Sequence, residues 1–225
     1  MENTATGVDA LFSNTTGLEN TATGVVALTS NTTGAQNTAT GDFALHTNVT
    51  GSNNTAIGLS ADVSVDGLVN ATAIGNGAIV NASNKIRLGN TAVTVIEGQV
   101  DFTFTSDQTR KENFQPVDGE AVLSKLHDLR VTSWNYIGHD PQAFRHYGPM
   151  GQDFFAAFGH DGVGTIGSPT TLTSSDMAGI LMSAVQALEK RTAELGQTVE
   201  ALKAENAELR GRLERASAAS LAVLH

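Results

Sequence analysis

Through the first 100 residues the apolar and polar positions recur at a fixed step of 17. Asn-Thr-Ala-Thr-Gly stands at 3–7, 20–24 and 37–41, and Asn54-Thr55-Ala56-Ile57-Gly58 and Ala71-Thr72-Ala73-Ile74-Gly75 keep the register. A period this short predicts a stacked array in which no unit buries its own core. Within each Thr-Ala-Thr the alternation turns Ala to one face and Thr to the other. Thr, Val and Ile favour extended backbone, Gly supplies positive φ at corners, and Asn tolerates the left-handed region. Two short strands and two corners per 17 residues make one coil of a β-solenoid or β-roll. An Ala-lined coil is narrow and buries little, so association of several chains is expected to supply the missing burial. Ile57 and Ile74 replace Thr in later units, which makes the packing more apolar toward residue 83.

After the repeats the pattern changes. Residues 84–105 alternate and contain two strand-like runs, 91–96 and 99–105. In the second run Val100, Phe102, Phe104 and Ser106 share a face, which predicts Ser106 in the apolar surroundings of two Phe rings. Residues 119–129 read as an amphipathic helix with Val122, Leu123, Leu126 and Leu129 inward. Residues 130–137 read as a strand, 145–150 as extended, 152–159 as a short helix ended by Gly159, and 160–174 as a loop. Finally Leu181, Leu188, Leu195, Leu202 and Leu209 fall seven apart, with Val185, Thr192, Val199, Asn206 and Leu213 between them. Taken as d and a positions these make a coiled coil within 175–216. Leu at d with β-branched residues and one Asn at a favours two strands by itself.

Composition divides the chain at the same place. Residues 1–100 hold only Phe12 and Phe43 of the nine Phe, and neither Tyr nor the Trp. A core of large side chains therefore belongs to the second half. The net charge is −10, without a basic patch, which argues against nucleic acid as a partner. Cysteine is absent, so there is no disulfide framework or thiolate site. No apolar run is long enough to span a bilayer, and no secretory signal opens the chain. The six His show no ligand spacing, and no phosphate loop, nucleophile elbow or paired-carboxylate pattern appears. No metal or cofactor is expected, and turnover of an external substrate has no support. The Asn-x-Thr/Ser triplets at Asn14, Asn31, Asn48, Asn70 and Asn81 match the glycosylation pattern, but read as corner Asn plus strand Thr that recur because the unit recurs.

Two family resemblances follow. Residues 3–80 resemble the head repeats of trimeric adhesins, with Ala56-Ile57-Gly58 and Ala73-Ile74-Gly75 nearest to that family's cadence. That likeness implies a left-handed parallel β-roll with three chains side by side. Ser-Asp-x-x-x-Lys-Glu-Asn at 106–113, Leu-Arg-Val-x-Ser-Trp-Asn-Tyr at 129–136, His-Tyr-Gly-Pro-Met-Gly-Gln-Asp-Phe at 146–154 and the terminal helix resemble the self-cleaving intramolecular chaperone of endosialidase tailspikes, over 104–210. Gly151 departs from that family's pattern, which has Ala there, and predicts a local packing change. The expectation is a multidomain homotrimer: all-β repeats over 1–83, a β-rich neck over 84–105, an α+β chaperone domain over 106–174 and a coiled-coil helix over 175–216. The three-fold reading conflicts with the two-strand preference of the heptads.

The second resemblance also implies chemistry. Ser106 attacks the carbonyl before it and breaks Thr105–Ser106 through an ester that water hydrolyses. Lys111 is the base and Asp107 matches the acidic position that orients the turn. His146 is a candidate for an oxyanion or orienting role, which backbone N–H groups equally fill. A Lys acts as a base only when neutral, which requires its pKa to fall well below about 10.4, and burial does this. In a continuous helix residues 106 and 111 stand roughly 140° apart, so the pair needs a turn between them. The activity is a single-turnover serine autopeptidase on a phage tail fibre, virion or bacterial surface, with a host-cell or surface receptor open as a partner. The alternative is a non-cleaving structural or receptor-binding fibre tip. A third reading makes the coiled coil a dock for another protein.

Overall fold

A computed structural model of the chain describes residues 2–222. These form two compact units. One comprises the residues up to Asp101 together with Tyr136–Phe144, and the other comprises Phe102–Asn135 and the chain from Arg145 onward.

The first unit is a β-solenoid of about five turns, as the period predicts. Its main sheet is parallel, in the order β1 (Thr4–Thr6), β2 (Thr21–Thr23), β3 (Thr38–Thr40), β4 (Thr55–Ile57), β6 (Thr72–Ile74) and β8 (Ile86–Leu88). A shorter parallel pair joins β5 (Asp62–Val63) to β7 (Ile79–Val80). Thr4 pairs with Thr21, Thr21 with Thr38 and Thr38 with Thr55, so the step is the sequence period itself. The last coil shortens the step to 14, pairing Thr72 with Ile86. Ala22, Ala39, Ala56 and Ala73 point inward and are fully buried, opposite Leu11, Leu28 and Leu45.

Two features of the coil go beyond the sequence reading. Its side after each sheet strand turns through left-handed backbone at bulky residues, including Val26 (φ 62°), Leu28 (φ 51°), Phe43 (φ 58°) and Leu45 (φ 50°). Such φ values are unfavourable for these residue types. Stacking holds them: Val26 N–H donates to Val8 O, Leu28 N–H to Ala44 O and Leu45 N–H to Ala61 O, at 2.8–3.0 Å. The second feature is the asparagines, which line the interior as hydrogen-bonded ladders. Asn37 N–H donates to Asn20 Oδ1 and Asn54 N–H to Asn37 Oδ1, while Asn37 Nδ2 reaches Gly51 O at 2.8 Å. In the second ladder Asn48 Nδ2 donates to Asn31 Oδ1 at 3.0 Å. Asn31 and Asn48 are therefore buried amides rather than surface acceptors for a glycan. Gly41 shows why Gly closes each strand. Its φ is 129°, and a Cβ there would lie 2.5 Å from Gly58 O in the next coil.

The second unit contains α1 (Gly119–Asp128), the antiparallel hairpin of β9 (Val131–Trp134) and β10 (His146–Pro149), α2 (Gly151–Phe158) and the long α3 (Ser174–Ala222). Asp118 caps α1 by accepting from the N–H groups of Glu120 and Ala121. Val122, Phe154, Phe158 and Ala184 form its small core, with Leu123, Leu126 and Leu129 against it, as the helical spacing predicts. Arg191 of α3 pairs with Glu120 of α1, and Arg130 with Asp153 at 3.0 Å. At the N-terminus of α2 the backbone of 169–171 passes so near Gly151 that a Cβ would meet Pro169 O at 3.0 Å, which accounts for Gly there.

One expectation is corrected. No strand forms over 91–105, where 91–96 and 99–105 were expected to pair, and these residues are all exposed. An alternating run becomes a strand only when a neighbour takes up its backbone N–H and C=O groups, and here the single chain provides none. Consequently Phe102 and Phe104 are 76% and 67% exposed and do not enclose Ser106. The a and d residues of α3 are likewise largely solvent-facing, among them Leu188, Leu195, Leu202 and Leu209.

Candidate functional site

The segment Ser106–Lys111 is built around one side chain. Asp107 stands before a single 3-10 turn, Gln108–Arg110, and its Oδ1 accepts from both Thr109 N–H and Thr109 Oγ1 at 2.9 Å. These bonds, backbone first, hold the Asp107 carboxyl below its ordinary value of 3.8. The turn ends at Lys111, whose backbone is extended and whose N–H donates to Gln108 O. The chain thus folds back within five residues and places Lys111 Nζ 2.6 Å from Ser106 Oγ. The sequence argument asked for a turn between the two, and a turn lies there. Thr109 was not singled out beforehand, although Asp-x-Thr is a pattern in which the Asp side chain caps the turn that follows.

An ammonium at this distance donates to the hydroxyl. The same pair with a neutral amine has the geometry for proton transfer from Ser106 to Lys111. Thr105 and Ser106 are exposed and outside regular structure. His146 lies on β10 opposite Trp134, with its ring stacked on the indole at 4.6 Å between centroids. Arg145 beside it reaches back to Ser133 Oγ at 2.8 Å and Asn135 Oδ1 at 3.2 Å, bracing the hairpin. Among the described residues no cluster of His, Asp or Glu is arranged to hold a metal ion. No helix among them is long and apolar enough to cross a membrane.

Comparison with known families assigns this part of the chain. Residues 106–162 match the model of a peptidase family described as the chaperone of endosialidase. The second half of the chain thus carries a domain of that family, and the matched region opens on Ser106. The match does not extend to the solenoid repeats. No curated protein and no solved structure matches the chain.

Proposed function

We propose that the residues after Thr105 are an intramolecular chaperone that assembles three copies of the chain, folds the β-fibre and then releases itself by cutting Thr105–Ser106. The observation that carries this reading is the contact between Lys111 Nζ and Ser106 Oγ at the first residue of the family match. In this reading residues 1–83 are the fibre, 84–105 its neck, 106–174 the chaperone and autopeptidase, and 175–216 a coiled coil that gathers the copies. The fibre belongs to a phage tail or another virion or bacterial surface.

The chemistry balances with the chain's own groups and one water. Neutral Lys111 takes the proton of Ser106 Oγ as the oxygen attacks the Thr105 carbonyl. The tetrahedral intermediate collapses by breaking the Thr105–Ser106 C–N bond, and the leaving nitrogen takes the proton back from Lys111. The Thr105 acyl group is then an ester on Ser106 Oγ. Water, with Lys111 again accepting its proton, hydrolyses the ester to a Thr105 carboxylate and a free Ser106 hydroxyl. Asp107 keeps the turn closed through Thr109.

The step is tied to assembly by solvent. In the single chain Lys111 is exposed, and Phe102, Phe104 and Phe114 lie open nearby in sequence. Packing those rings between copies would exclude water, favour the neutral amine and supply backbone N–H groups for the oxyanion. Cutting removes the element that lowered the assembly barrier and leaves residues 1–105 kinetically trapped. The open surroundings of Ser106 also favour a second reading, a non-cleaving fibre tip whose chaperone-like domain stays attached. Denaturing electrophoresis of the assembled oligomer separates the two. Wild type is expected to run as two pieces and Ser106→Ala as one; a single full-length band from both would support the uncleaved fibre.

A further inference from the structure

We infer that the outer face of the solenoid's main sheet is where copies of this chain pack on one another, and that this packing begins at its β8 end. The inference rests on the oligomer proposed above and identifies the surface that makes it. Each coil has three sides, and they differ in charge. The side following the sheet strand carries Asp9, Asp42 and His46. The side after that carries Glu19 and Asp66. The outward positions of the main sheet carry no ionisable group from β1 to β8. A charge-free strip running the length of an acidic solenoid can meet its own copy without like-charge repulsion.

The strip is also graded. Along one outward column the residues run Thr6, Thr23, Thr40, Ile57, Ile74 and Leu88, in register on adjacent strands. Ile57, Ile74 and Leu88 are 44%, 39% and 40% exposed although each sits flat on a regular sheet. Their neighbours in the adjoining column are Thr55, Thr72 and Ile86. Contiguous exposed apolar surface of this kind marks an interaction site. Because the apolar residues are confined to the end nearest residue 105, association there removes the most apolar surface from water. The threonine half adds shape and hydrogen bonding once the copies are aligned. The partner is therefore a second copy in parallel register, joined from β8 toward β1. Parallel register follows from closed rotational symmetry, which brings the same residue of every copy to the axis.

The chain has no cysteine, so single-cysteine crosslinking is clean. Ile57→Cys, Ile74→Cys and, as a control on another side, Val65→Cys are oxidised mildly and run on non-reducing gels, with native mass taken in parallel. Covalently linked copies from Ile57→Cys and Ile74→Cys, and none from Val65→Cys, are expected. An oligomer in which neither sheet position links, or Val65→Cys links as readily, overturns the face while leaving the oligomer standing. A monomeric native mass overturns both. For direction, Ile74→Glu and Thr23→Glu are compared by native mass, with circular dichroism to follow folding. Ile74→Glu is expected to abolish the oligomer and Thr23→Glu to spare it; equal losses would overturn the β8-first order.

Discussion

Lys111 and Ser106, five residues apart, meet at 2.6 Å because the carboxylate of Asp107 folds the chain between them. The contact is local and needs no tertiary support. What the single chain does not supply is exclusion of water, since every residue from 101 to 118 is exposed. Geometry and protonation are therefore separate requirements, the first met by a turn and the second by assembly. That separation makes cleavage a report on correct folding.

The solenoid depends on its amides. Asn37 is fully buried, donates to Gly51 O and accepts from Asn54 N–H. Asn37→Ala leaves both groups without a partner and is expected to cost about 2–4 kcal/mol. Asn81→Ala, at an exposed position, is expected to cost less than about 0.5 kcal/mol. Chemical denaturation of the two variants checks the contrast, and equal effects would contradict the ladder's role.

Two glycines separate strain from crowding. Gly41→Ala puts a Cβ 2.5 Å from Gly58 O at a φ of 129°, and a destabilisation above about 3 kcal/mol is expected. Gly151→Ala meets Pro169 O at 3.0 Å in a loop that can give by a few tenths of an ångström. Its cost should stay below about 1 kcal/mol. Thermal unfolding of both variants is the check.

Acid reports on one turn of the solenoid. Burial works to raise the Asp66 pKa, but the N–H groups of Thr50 and Val49, the Thr50 hydroxyl and the Gly67 N–H outweigh it and bring it from 3.8 to about 2. A carboxyl with a depressed folded pKa stabilises fully above its unfolded value and loses that contribution as pH falls through the folded one. Asp66→Asn is therefore expected to melt earlier than wild type at about pH 5, with the gap closing toward about pH 2. A gap independent of pH would contradict the assignment.

The long helix should carry assembly. Leu202 is a d-position residue, half-exposed in the single chain. Leu202→Asp places a carboxylate in the seam, at a cost of several kcal/mol if the helices associate. Sedimentation is expected to show dissociation, and cleavage is expected to fall with it. An intact oligomer would remove the coiled coil from the account.

Much of this was legible where the cause is local or periodic. The 17-residue step, the inward Ala column, α1 and its apolar face, and the turn between Ser106 and Lys111 all follow from spacing and residue type. Left-handed backbone at Leu28 and Leu45 was not legible, because it exists only through hydrogen bonds to the next coil. The burial of Asn31 and Asn48 was hidden for the same reason, since an isolated Asn-x-Thr looks like a corner. The alternation over 91–105 misled in the opposite direction. Its pattern is that of a strand, but a strand needs a neighbour, and the single chain leaves it open.

The central claim meets its most direct test in denaturing intact-mass analysis of the assembled wild-type protein beside Ser106→Ala and Lys111→Ala. The account predicts two wild-type masses, for residues 1–105 and 106–225, with no adduct and a free amine on Ser106. Both variants should give only the full-length mass, cleavage being slowed at least about a thousandfold. Full-length chain in all three proteins, with assembly intact, would contradict the autopeptidase. Cleavage that survives in Lys111→Ala would contradict the dyad.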